Sequence, residues 1–575
     1  MCFLKFSFLF VSISIFAQNN SKYTSFFEKG NGNQSADYQE IVRYYQLLDS
    51  DFETIKVTTF GITDSGEPLQ VVLFDSEKKF NFDTKNNKAV LLINNGIHAG
   101  EPDGIDATMQ LYRDLALGKL KAPKNVLLMA IPVYNIGGCL NRNSTTRVNQ
   151  DGPEEYGFRG NARNYDLNRD FIKSDTKNTK SFVNIYHTYN PDIFIDNHVS
   201  NGADYQYTLT YIMTEPKKLG TVLGDYMKTE LTPAIVSSLQ QKNIPTTPYV
   251  NVWRGTPDQG FEQFFDSPRY TTGYTSLFNT IGFVVETHML KKYANRVKTT
   301  YDFMVSTMNY ANENFKKIKE KRIENEKQFQ PNTKYTLKWE IDTTKISTIS
   351  FEGFEGNYKK SDVTTGNRLY YDRNKPYTKT IPFLGDYKSV TTITIPKAYI
   401  IPQGYWDVID LLKENKLAFS RLKKDTLIDV ESYKIVDYKT VKNPYEGHYP
   451  HTNTKVSTTK TKIPFHKGDY LFKTQQKGVK FLLETLEPEA IDSYFNWNFF
   501  DTILQQKEGY SDYVFEDLAN EYLNLHPELR TQLIEKIAQD KLFADNPEAQ
   551  LDWVHKNSMY YEKEHLHYPI YRIVD

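Results

Sequence analysis

The chain has 575 residues, a formal net charge of −1 at pH 7 and two cysteines. This length exceeds what one hydrophobic core normally supports, so we expect two or three domains. The balanced charge excludes a strongly basic nucleic-acid or membrane-binding surface, and the scarcity of cysteine excludes a small disulfide-stapled scaffold.

The first 17 residues have the composition of a secretory signal peptide. Lys5 supplies the positive charge, an apolar run covers residues 6–16, and cleavage is expected near Ala17. The run is too short for a permanent anchor, and no later stretch is apolar enough to span a bilayer. After cleavage only Cys139 remains, so the mature chain has no internal disulfide. We therefore expect a bacterial protein that is secreted or periplasmic, with no stable membrane span.

The first predicted elements form a strand–helix–strand unit. Two strands, at residues 55–60 and 69–74, precede an unbroken apolar run at residues 89–95, which suits a strand buried on both faces. The chain then turns and continues as a helix from Pro102, and a second buried strand follows at residues 126–131. This order is typical of a parallel sheet.

The segment at residues 141–170 is loop-like and rich in arginine. A long loop inside a compact domain is usually functional, and an excess of arginine over lysine indicates carboxylate recognition. Further strands are predicted at residues 192–198, 206–213 and 281–286, with helices at residues 217–241 and 290–327.

These elements predict a mixed α/β fold, in which a largely parallel, twisted sheet carries helices on both faces. After the signal peptide at residues 1–17, we expect the α/β domain to cover residues 18–328 and to end in a strongly charged helical tail. Alternation rich in threonine, tyrosine and lysine predicts a β-rich accessory domain at residues 329–485. Residues 486–575 are expected to be mostly helical, including residues 527–538 and 547–555.

Three predicted strands lead into side chains that bind metals or carry protons. His98 and Glu101 follow the first buried strand, His198 ends the strand at residues 192–198, and Glu286 ends the strand at residues 281–286. Because parallel strands bring their carboxyl ends to one edge of the sheet, we expect these side chains to converge. Two histidines and one carboxylate suit a catalytic zinc, and the separate Glu286 is the candidate general base.

Four motifs occur in order along the chain: His98-Ala99-Gly100-Glu101, Asp166-Leu167-Asn168-Arg169, His198 and Glu286. Through these motifs the sequence resembles, over roughly residues 50–310, the zinc carboxypeptidases of the carboxypeptidase A superfamily, in which they occur in the same order. The resemblance implies a zinc carboxypeptidase-like fold and one Zn²⁺ per chain, bound by His98, Glu101 and His198. It implies a metallocarboxypeptidase that acts on peptides with a free C-terminus, with Glu286 as general base for a zinc-activated water.

The resemblance also implies roles for residues of the arginine-rich loop. Asn168 and Arg169 match the pair that binds the substrate's terminal carboxylate, which suits the planar fork of a guanidinium. Asp166 matches the aspartate that orients the first zinc histidine. The arginine that faces the scissile carbonyl is expected to be Arg159, and Arg147 and Arg163 are the alternatives.

The substrate-capping tyrosine is expected to be Tyr270, with Tyr274 as the alternative. Arg269 either selects an acidic side chain or is solvated at a loop edge, and for His288 we expect a supporting or core role. His448 and His451 lack a third ligand at useful spacing, so no second metal is expected.

Two other functions are consistent with the same sequence. A cell-wall (murein) peptide amidase or carboxypeptidase would use the same zinc scaffold on a different substrate. A non-catalytic binding protein would have its function in the β-rich accessory domain. The intact ligand set argues against this function.

Overall fold

The computed structural model describes residues 21–80 and 88–574, so the predicted signal peptide at residues 1–17 lies outside the described residues. The first nine strands are β1 (Ile55–Ile62), β2 (Pro68–Phe74), β3 (Ala89–Asn95), β4 (Val126–Ile131), β5 (Ile193–Ser200), β6 (Leu209–Met213), β7 (Thr246–Pro248), β8 (Phe261–Glu262) and β9 (Ile281–His288). All except β8 form one eight-stranded sheet within the described residues, in the order β1-β2-β4-β3-β5-β9-β6-β7.

The centre of this sheet is parallel and its flanks are partly antiparallel. Strands β4, β3, β5 and β9 run in the same direction, whereas β2 pairs antiparallel with β4, and β6 pairs antiparallel with β9. Every residue of β3, β4 and β5 is buried, which explains why these strands are continuous apolar runs in the sequence. The central strands therefore end at one common edge.

The helices of the α/β part are α1 (Phe26–Lys29), α2 (Tyr38–Asp51), α3 (Asp103–Ala116), α4 (Ile136–Leu140), α5 (Lys177–Tyr189), α6 (Pro216–Leu219), α7 (Thr221–Tyr226), α8 (Thr232–Gln241), α9 (Thr271–Ser276) and α10 (Tyr293–Glu326). Phe283 of β9 packs against Phe303 of α10, with ring centroids 5.8 Å apart. The preceding residue, Gly282, faces α9, so neighbouring residues of one strand meet helices on opposite faces. The predicted α/β class, with helices on both faces of a mixed sheet, is confirmed.

One predicted helix is divided in the structure. Residues 217–241 were expected to form a single helix, but they form α6, α7, a π-helical turn at Met227–Leu231, and α8. Gly220 ends α6 with a φ of 118°, a conformation outside the helical region. The apolar spacing continues across this break, so the periodicity alone did not reveal it.

Beyond residue 330 the chain is rich in strands, as predicted. These are β10 (Lys334–Ile341), β11 (Ser347–Lys360), β12 (Asn367–Leu384), β13 (Tyr387–Thr394), β14 (Ala398–Ile401), β15 (Ser420–Arg421), β16 (Thr426–Thr440), β17 (His451–Phe465), β18 (Tyr470–Lys473) and β19 (Tyr571–Ile573). The helices are α11 (Trp406–Glu414), α12 (Val479–Leu486), α13 (Asp512–Leu525), α14 (Pro527–Gln539), α15 (Lys541–Ala544) and α16 (Pro547–Lys556). The alternation did not predict α11, which buries Val408, Ile409 and Leu412 along one face.

The β-rich part packs directly onto the α/β part. Strand β12 pairs in parallel with β8, and the ring of Phe481 in α12 stacks on that of Phe278, with centroids 5.5 Å apart. Strand β19 pairs with β14 and β16, so it lies between them inside a six-stranded sheet of the β-rich part. The boundaries of the domains themselves remain predictions.

A long hairpin of the β-rich part reaches the edge of the central sheet. Strands β16 and β17 are joined by residues 441–450, here called the 441–450 loop, whose Glu446 bonds to the backbone of Asp166. Among the helices that the structure describes, none is both long and apolar enough to cross a bilayer.

Candidate active site

The turn after β3 holds His98 and Glu101. Gly96 opens this turn with a φ of 64°, a conformation that favours glycine. Gly100 lies so close to the arginine-rich loop that a Cβ there would come within 2.7 Å of the Arg147 side chain and 2.8 Å of the Gly157 carbonyl oxygen. The glycines of this motif therefore bring the loop against the two candidate ligands.

Strands β5 and β9 supply the other two predicted residues. His198 and Glu286 are direct partners in the parallel register of these strands. Paired residues of neighbouring strands point to the same face, so the imidazole and the carboxylate emerge side by side at the carboxyl edge of the sheet. Residues almost 90 positions apart in the sequence are thus neighbours in the fold.

His98, Glu101 and His198 form a compact set of metal-binding atoms. One nitrogen or oxygen of each lies within 4.8 Å of the others, and this is the one such group of three among the described residues. The two carboxylate oxygens of Glu101 lie 3.1 Å from the Nδ1 atoms of His98 and His198 respectively. Each side chain is at most 4% exposed. Two imidazoles and one carboxylate are the donors of a catalytic zinc site, and the residues fit this metal.

The opposite nitrogen of each histidine is held by an aspartate. Nε2 of His98 lies 3.0 Å from Oδ1 of Asp166, and Nε2 of His198 lies 2.9 Å from Oδ2 of Asp196. This arrangement places a proton on Nε2 and leaves the Nδ1 lone pair directed at the centre of the set, as metal-binding histidines require. Asp196 was missed in the sequence, although it lies two residues before His198 on the same face of a strand.

The charges around these ligands are tightly linked. Burial alone would raise the pKa of Glu101, but the nearby His98 and Arg147 lower it well below its ordinary value. Burial alone would lower the pKa of His198, but Asp196 and Glu101 raise it well above its ordinary value. The carboxylates therefore concentrate negative charge at a site that favours a bound cation.

Glu286 is a carboxylate with one oxygen unused. Its Oε2 atom is buried and has no hydrogen-bond partner among the described residues. Burial, with a smaller contribution from Glu101, raises the pKa of Glu286 to about 8. The group lies beside the ligand set without belonging to it, a position that suits a proton carrier.

Two of the three candidate arginines lie at the site. Arg147 donates to Oε1 of Glu101 at 2.9 Å, and Arg159 donates to Oδ2 of Asp166 at 2.8 Å with its other terminal nitrogen 3.8 Å from Glu101. Arg163 points away, since it donates to the carbonyl oxygen of Asp175 at 3.2 Å and does not line the cavity.

The predicted carboxylate-binding residues lie on the same cavity. Asn168 and Arg169 both line it, and the Arg169 guanidinium lies 4.6 Å from the centre of the Tyr270 ring. Oδ1 of Asn168 is buried without a partner among the described residues, so it is available to a ligand.

Two alternatives near Tyr270 are excluded by burial and pairing. Tyr274 is fully buried and donates to Oδ1 of Asn415 at 2.6 Å, so it is a core residue that cannot cap a substrate. Arg269 is neither solvated nor free to select an acidic side chain, because it donates to Oδ1 of the buried Asp492 at 2.8 Å. No local pattern indicates this pairing, because 223 positions separate the two residues.

The cavity has a volume of about 330 Å³ and extends from the ligand set to an apolar wall. That wall consists of Ile212, Tyr249, Phe264 and Val284, and Asp266 lies beside it. These residues come from separate elements and carried no local signal in the sequence. The cavity can therefore accommodate one side chain next to the ligand set and the carboxylate-binding pair.

The three other histidines considered in the sequence, His288, His448 and His451, each contact a neighbouring side chain. His288 is buried and stacks on Tyr205 with ring centroids 4.3 Å apart, in agreement with the predicted core role. His448 lies 2.7 Å from the carboxylate of Asp175, and His451 lies 2.9 Å from that of Asp501.

The family model described as zinc carboxypeptidase matches residues 41–234, about a third of the chain. This match includes His98, Glu101, Asn168, Arg169 and His198, and it ends before Glu286. Carboxypeptidase 2 of Trichophyton equinum is 22% identical over 447 residues, which cover 75% of this chain and 78% of that protein. Carboxypeptidase 2 of Trichophyton rubrum is 22% identical over 424 residues, covering 71% and 73%.

Solved structures similar to this chain include a metallo-carboxypeptidase from Burkholderia cenocepacia, with a TM-score of 0.37, 14% identity, and coverage of 49% of this chain and 70% of that one. Carboxypeptidase A from Helicoverpa armigera has a TM-score of 0.35 and 11% identity, with coverage of 49% and 74%. The curated relatives are fungal, so they give no support to the expected bacterial source. The family match, the curated relatives and the ligand set together support the relationship of this chain to the zinc carboxypeptidases.

Proposed function

We propose that this protein is an exported zinc metallocarboxypeptidase that removes the last residue of peptides with a free C-terminal carboxylate. One observation carries the proposal: the His98–Glu101–His198 set, the unpartnered oxygen of Glu286 and the Asn168–Arg169 pair line a single cavity. A metal, a proton carrier and a carboxylate receptor are the parts that this reaction needs.

The ligand set would hold zinc through Nδ1 of His98, Nδ1 of His198 and the carboxylate of Glu101. When bound, zinc supplies Lewis-acid chemistry, which polarises the scissile carbonyl and makes water a better nucleophile at neutral pH. Asp166 and Asp196 keep both imidazoles in the required tautomer and orientation.

Glu286 carries the proton through the reaction. Its carboxylate takes a proton from the attacking water as the water oxygen bonds to the carbonyl carbon. It then gives this proton to the amine nitrogen as the carbon–nitrogen bond breaks, which releases the terminal amino acid and restores the carboxylate. The buried, unpartnered Oε2 of Glu286 supports this role.

The two arginines act at different ends of the substrate's C-terminal residue, one at its free carboxylate and one at the scissile bond. Arg169 and Asn168 bind the terminal carboxylate, and Tyr270 closes over the bound residue. Arg159 stabilises the negative charge that develops on the scissile carbonyl oxygen. We assign this role to Arg159 rather than Arg147 because Arg147 donates to three groups, on Glu101, Gln150 and Val199. Arg159 donates to one carboxylate oxygen, on Asp166, and its side chain is 45% exposed.

The test compares N-blocked peptides that differ only in a free or amidated C-terminus, with and without a chelator. We expect cleavage of the free acid only, loss of activity in chelator, and recovery with zinc. Glu286→Gln is expected to keep zinc but lose at least about a thousandfold in kcat, because no other group replaces the proton carrier.

The matched control is Glu484→Gln, since Glu484 is a buried glutamate that lies outside the cavity and accepts a hydrogen bond from Tyr335. It should keep normal turnover. Near-normal activity of Glu286→Gln, or equal cleavage of the amidated peptide, would contradict the proposal.

Purified muropeptides as a second substrate set would distinguish a cell-wall enzyme from a carboxypeptidase that acts on ordinary peptides. N-terminal sequencing of the protein from the periplasm or the medium would test export and cleavage near Ala17.

A further inference from the structure

The mouth of the active-site cavity contains an exposed tryptophan. Of the described residues that line the cavity, three are exposed: Arg159, Asn201 and Trp253. Trp253 is 60% exposed, whereas the residues of the inner apolar wall are buried or half-buried. A large aromatic ring is thus open to solvent at the point where a bound peptide enters the cavity.

Trp253 belongs to residues 249–260, here called the 249–260 loop, which connects β7 to β8. The backbone N–H of Ala203, just after β5, donates to the carbonyl oxygen of Val252 at 3.0 Å. The indole Nε1 of Trp253 donates to Oδ1 of Asn251 at 3.1 Å. These bonds hold the ring beside the turn that follows β5, the strand that carries the second zinc histidine.

The hairpin of β11 and β12 in the β-rich part supports the same loop. The Tyr371 hydroxyl of β12 donates to the carbonyl oxygen of Gly255 at 2.9 Å. A Cβ on Gly356 of β11 would come within 2.2 Å of the Thr256 side chain, so the hairpin and the loop are in close contact. The loop is therefore anchored to the β-rich part only two residues beyond Trp253.

The proposed function indicates which part of a peptide meets this tryptophan. The terminal carboxylate lies at Asn168 and Arg169, and the scissile bond lies at the ligand set. The cavity of about 330 Å³ accommodates the side chain of the terminal residue, so the penultimate residue lies at the mouth. There Arg159 is proposed to bind the carbonyl oxygen of the penultimate residue, and the exposed indole of Trp253 is open to its side chain.

Contact with an exposed indole favours one class of side chain. Burying apolar surface on both partners is favourable, and two aromatic rings gain additional stability from stacked or edge-to-face packing. A tryptophan held in place by its own hydrogen bond loses little conformational freedom when a ligand binds.

We propose that Trp253 determines specificity by packing against the side chain of the substrate's penultimate residue, so that the enzyme prefers an aromatic residue there. Tyr371 is a positioning residue, because it contacts the loop and does not line the cavity. This inference rests on the proposed function. It extends recognition beyond the terminal residue and gives the β-rich part of the chain a role in it.

The first experiment measures kcat/KM for two N-blocked peptides that share a C-terminal residue and carry either phenylalanine or glycine before it. The unaltered protein should cleave the phenylalanine peptide with the higher kcat/KM. Trp253→Ala is expected to lower the phenylalanine-to-glycine ratio of kcat/KM by about tenfold, because tryptophan contacts are among the strongest at binding sites. The ratio is taken within one variant, so a general loss of activity cancels. Trp253→Phe keeps an aromatic ring and should lower the ratio by less than about threefold.

Trp406→Ala is the matched control, because Trp406 is 68% exposed but lies at the start of α11, outside the cavity. It should keep the ratio of the unaltered protein. An unchanged ratio in Trp253→Ala, or an effect seen only with phenylalanine at the third position from the C-terminus, would refute this inference while the proposed function stands. If the unaltered protein cleaves no free-acid peptide, the proposed function fails, and this inference fails with it.

The second experiment tests the hairpin with Tyr371→Phe, which removes the hydroxyl that bonds Gly255. The ratio should fall by about threefold, through a higher KM for the phenylalanine peptide, with unchanged zinc affinity. Tyr370→Phe is its control, because neighbouring residues of a strand point to opposite faces. An unchanged ratio in Tyr371→Phe would refute the positioning role of the hairpin.

Discussion

Asp196→Asn is the substitution that most directly tests how the second zinc histidine is held. Oδ2 of Asp196 accepts bonds from Nε2 of His198 at 2.9 Å and from the Thr271 hydroxyl at 2.7 Å, and Oδ1 accepts from the Asn94 amide at 3.0 Å. An asparagine oxygen at the Oδ2 position would keep the first two bonds. Its NH₂ would then face Asn94, whose own oxygen is buried without a partner and becomes an acceptor when that amide rotates.

The structure therefore accommodates asparagine with all three bonds kept. The main loss is the negative charge of the Asp196 carboxylate beside His198. A neutral partner makes the imidazole a weaker donor to the metal, and loss of such an orienting group typically lowers metal affinity 10- to 100-fold, about 1.4–2.8 kcal/mol. Asp196→Ala differs, because it leaves three buried donors without an acceptor. It should destabilise the metal-free fold by about 1–3 kcal/mol for each orphaned donor.

The assay is chelator competition for zinc at pH 7, together with the thermal midpoint of the zinc-free protein. Asp196→Asn should show the affinity loss together with a lower zinc-free midpoint, because it removes the charge that raises the pKa of His198, but the midpoint should fall less than in Asp196→Ala. Asp106→Asn is the matched control, because Asp106 is a buried aspartate of α3 outside the cavity, and it should bind zinc normally. Zinc affinity of Asp196→Asn within twofold of the unaltered protein would refute the reasoning.

Two further predictions concern substrate binding and pH. Arg169→Lys replaces a bidentate fork by a point charge, so KM for free-acid peptides should rise about 10- to 100-fold with little change in kcat. The control Arg163→Lys lies outside the cavity and should have no effect on either constant. Equal kinetics for the two variants would contradict the assignment of Arg169. Burial raises the pKa of Asp106 to about 7, so the folded state favours the protonated carboxyl group. The stability that this proton contributes is fully present below the ordinary pKa near 4. It is lost as the pH rises towards 7. Zinc-free wild type should therefore lose about 2 kcal/mol relative to Asp106→Asn between pH 5 and pH 7 in denaturant titrations, and a constant difference would contradict this.

Some features follow from local sequence alone. Strands β3, β4 and β5 were predictable because a strand buried on both faces must be continuously apolar. The positions of His98, Glu101, His198 and Glu286 at strand ends also followed, since parallel strands share an edge. Asn168 and Arg169 were named from a motif, and the structure brings them to the same cavity.

Other features depended on contacts between distant parts of the chain. Tyr270 and Tyr274 are four residues apart and were both candidates in the sequence, with Tyr270 preferred, but only the hydrogen bond to Asn415 shows that Tyr274 belongs to the core. Arg269 looked free until Asp492, 223 positions later, was found beside it. Glu446 gave no signal at all, because Asp166, whose backbone it bonds, lies 280 positions earlier in the chain. The sequence by itself determined the central strands and placed His98, Glu101 and His198 at their ends, since these features depend on hydrophobic pattern and spacing. Only the tertiary structure decided which polar side chains remain free for a ligand, because pairing depends on distances that sequence separation does not encode.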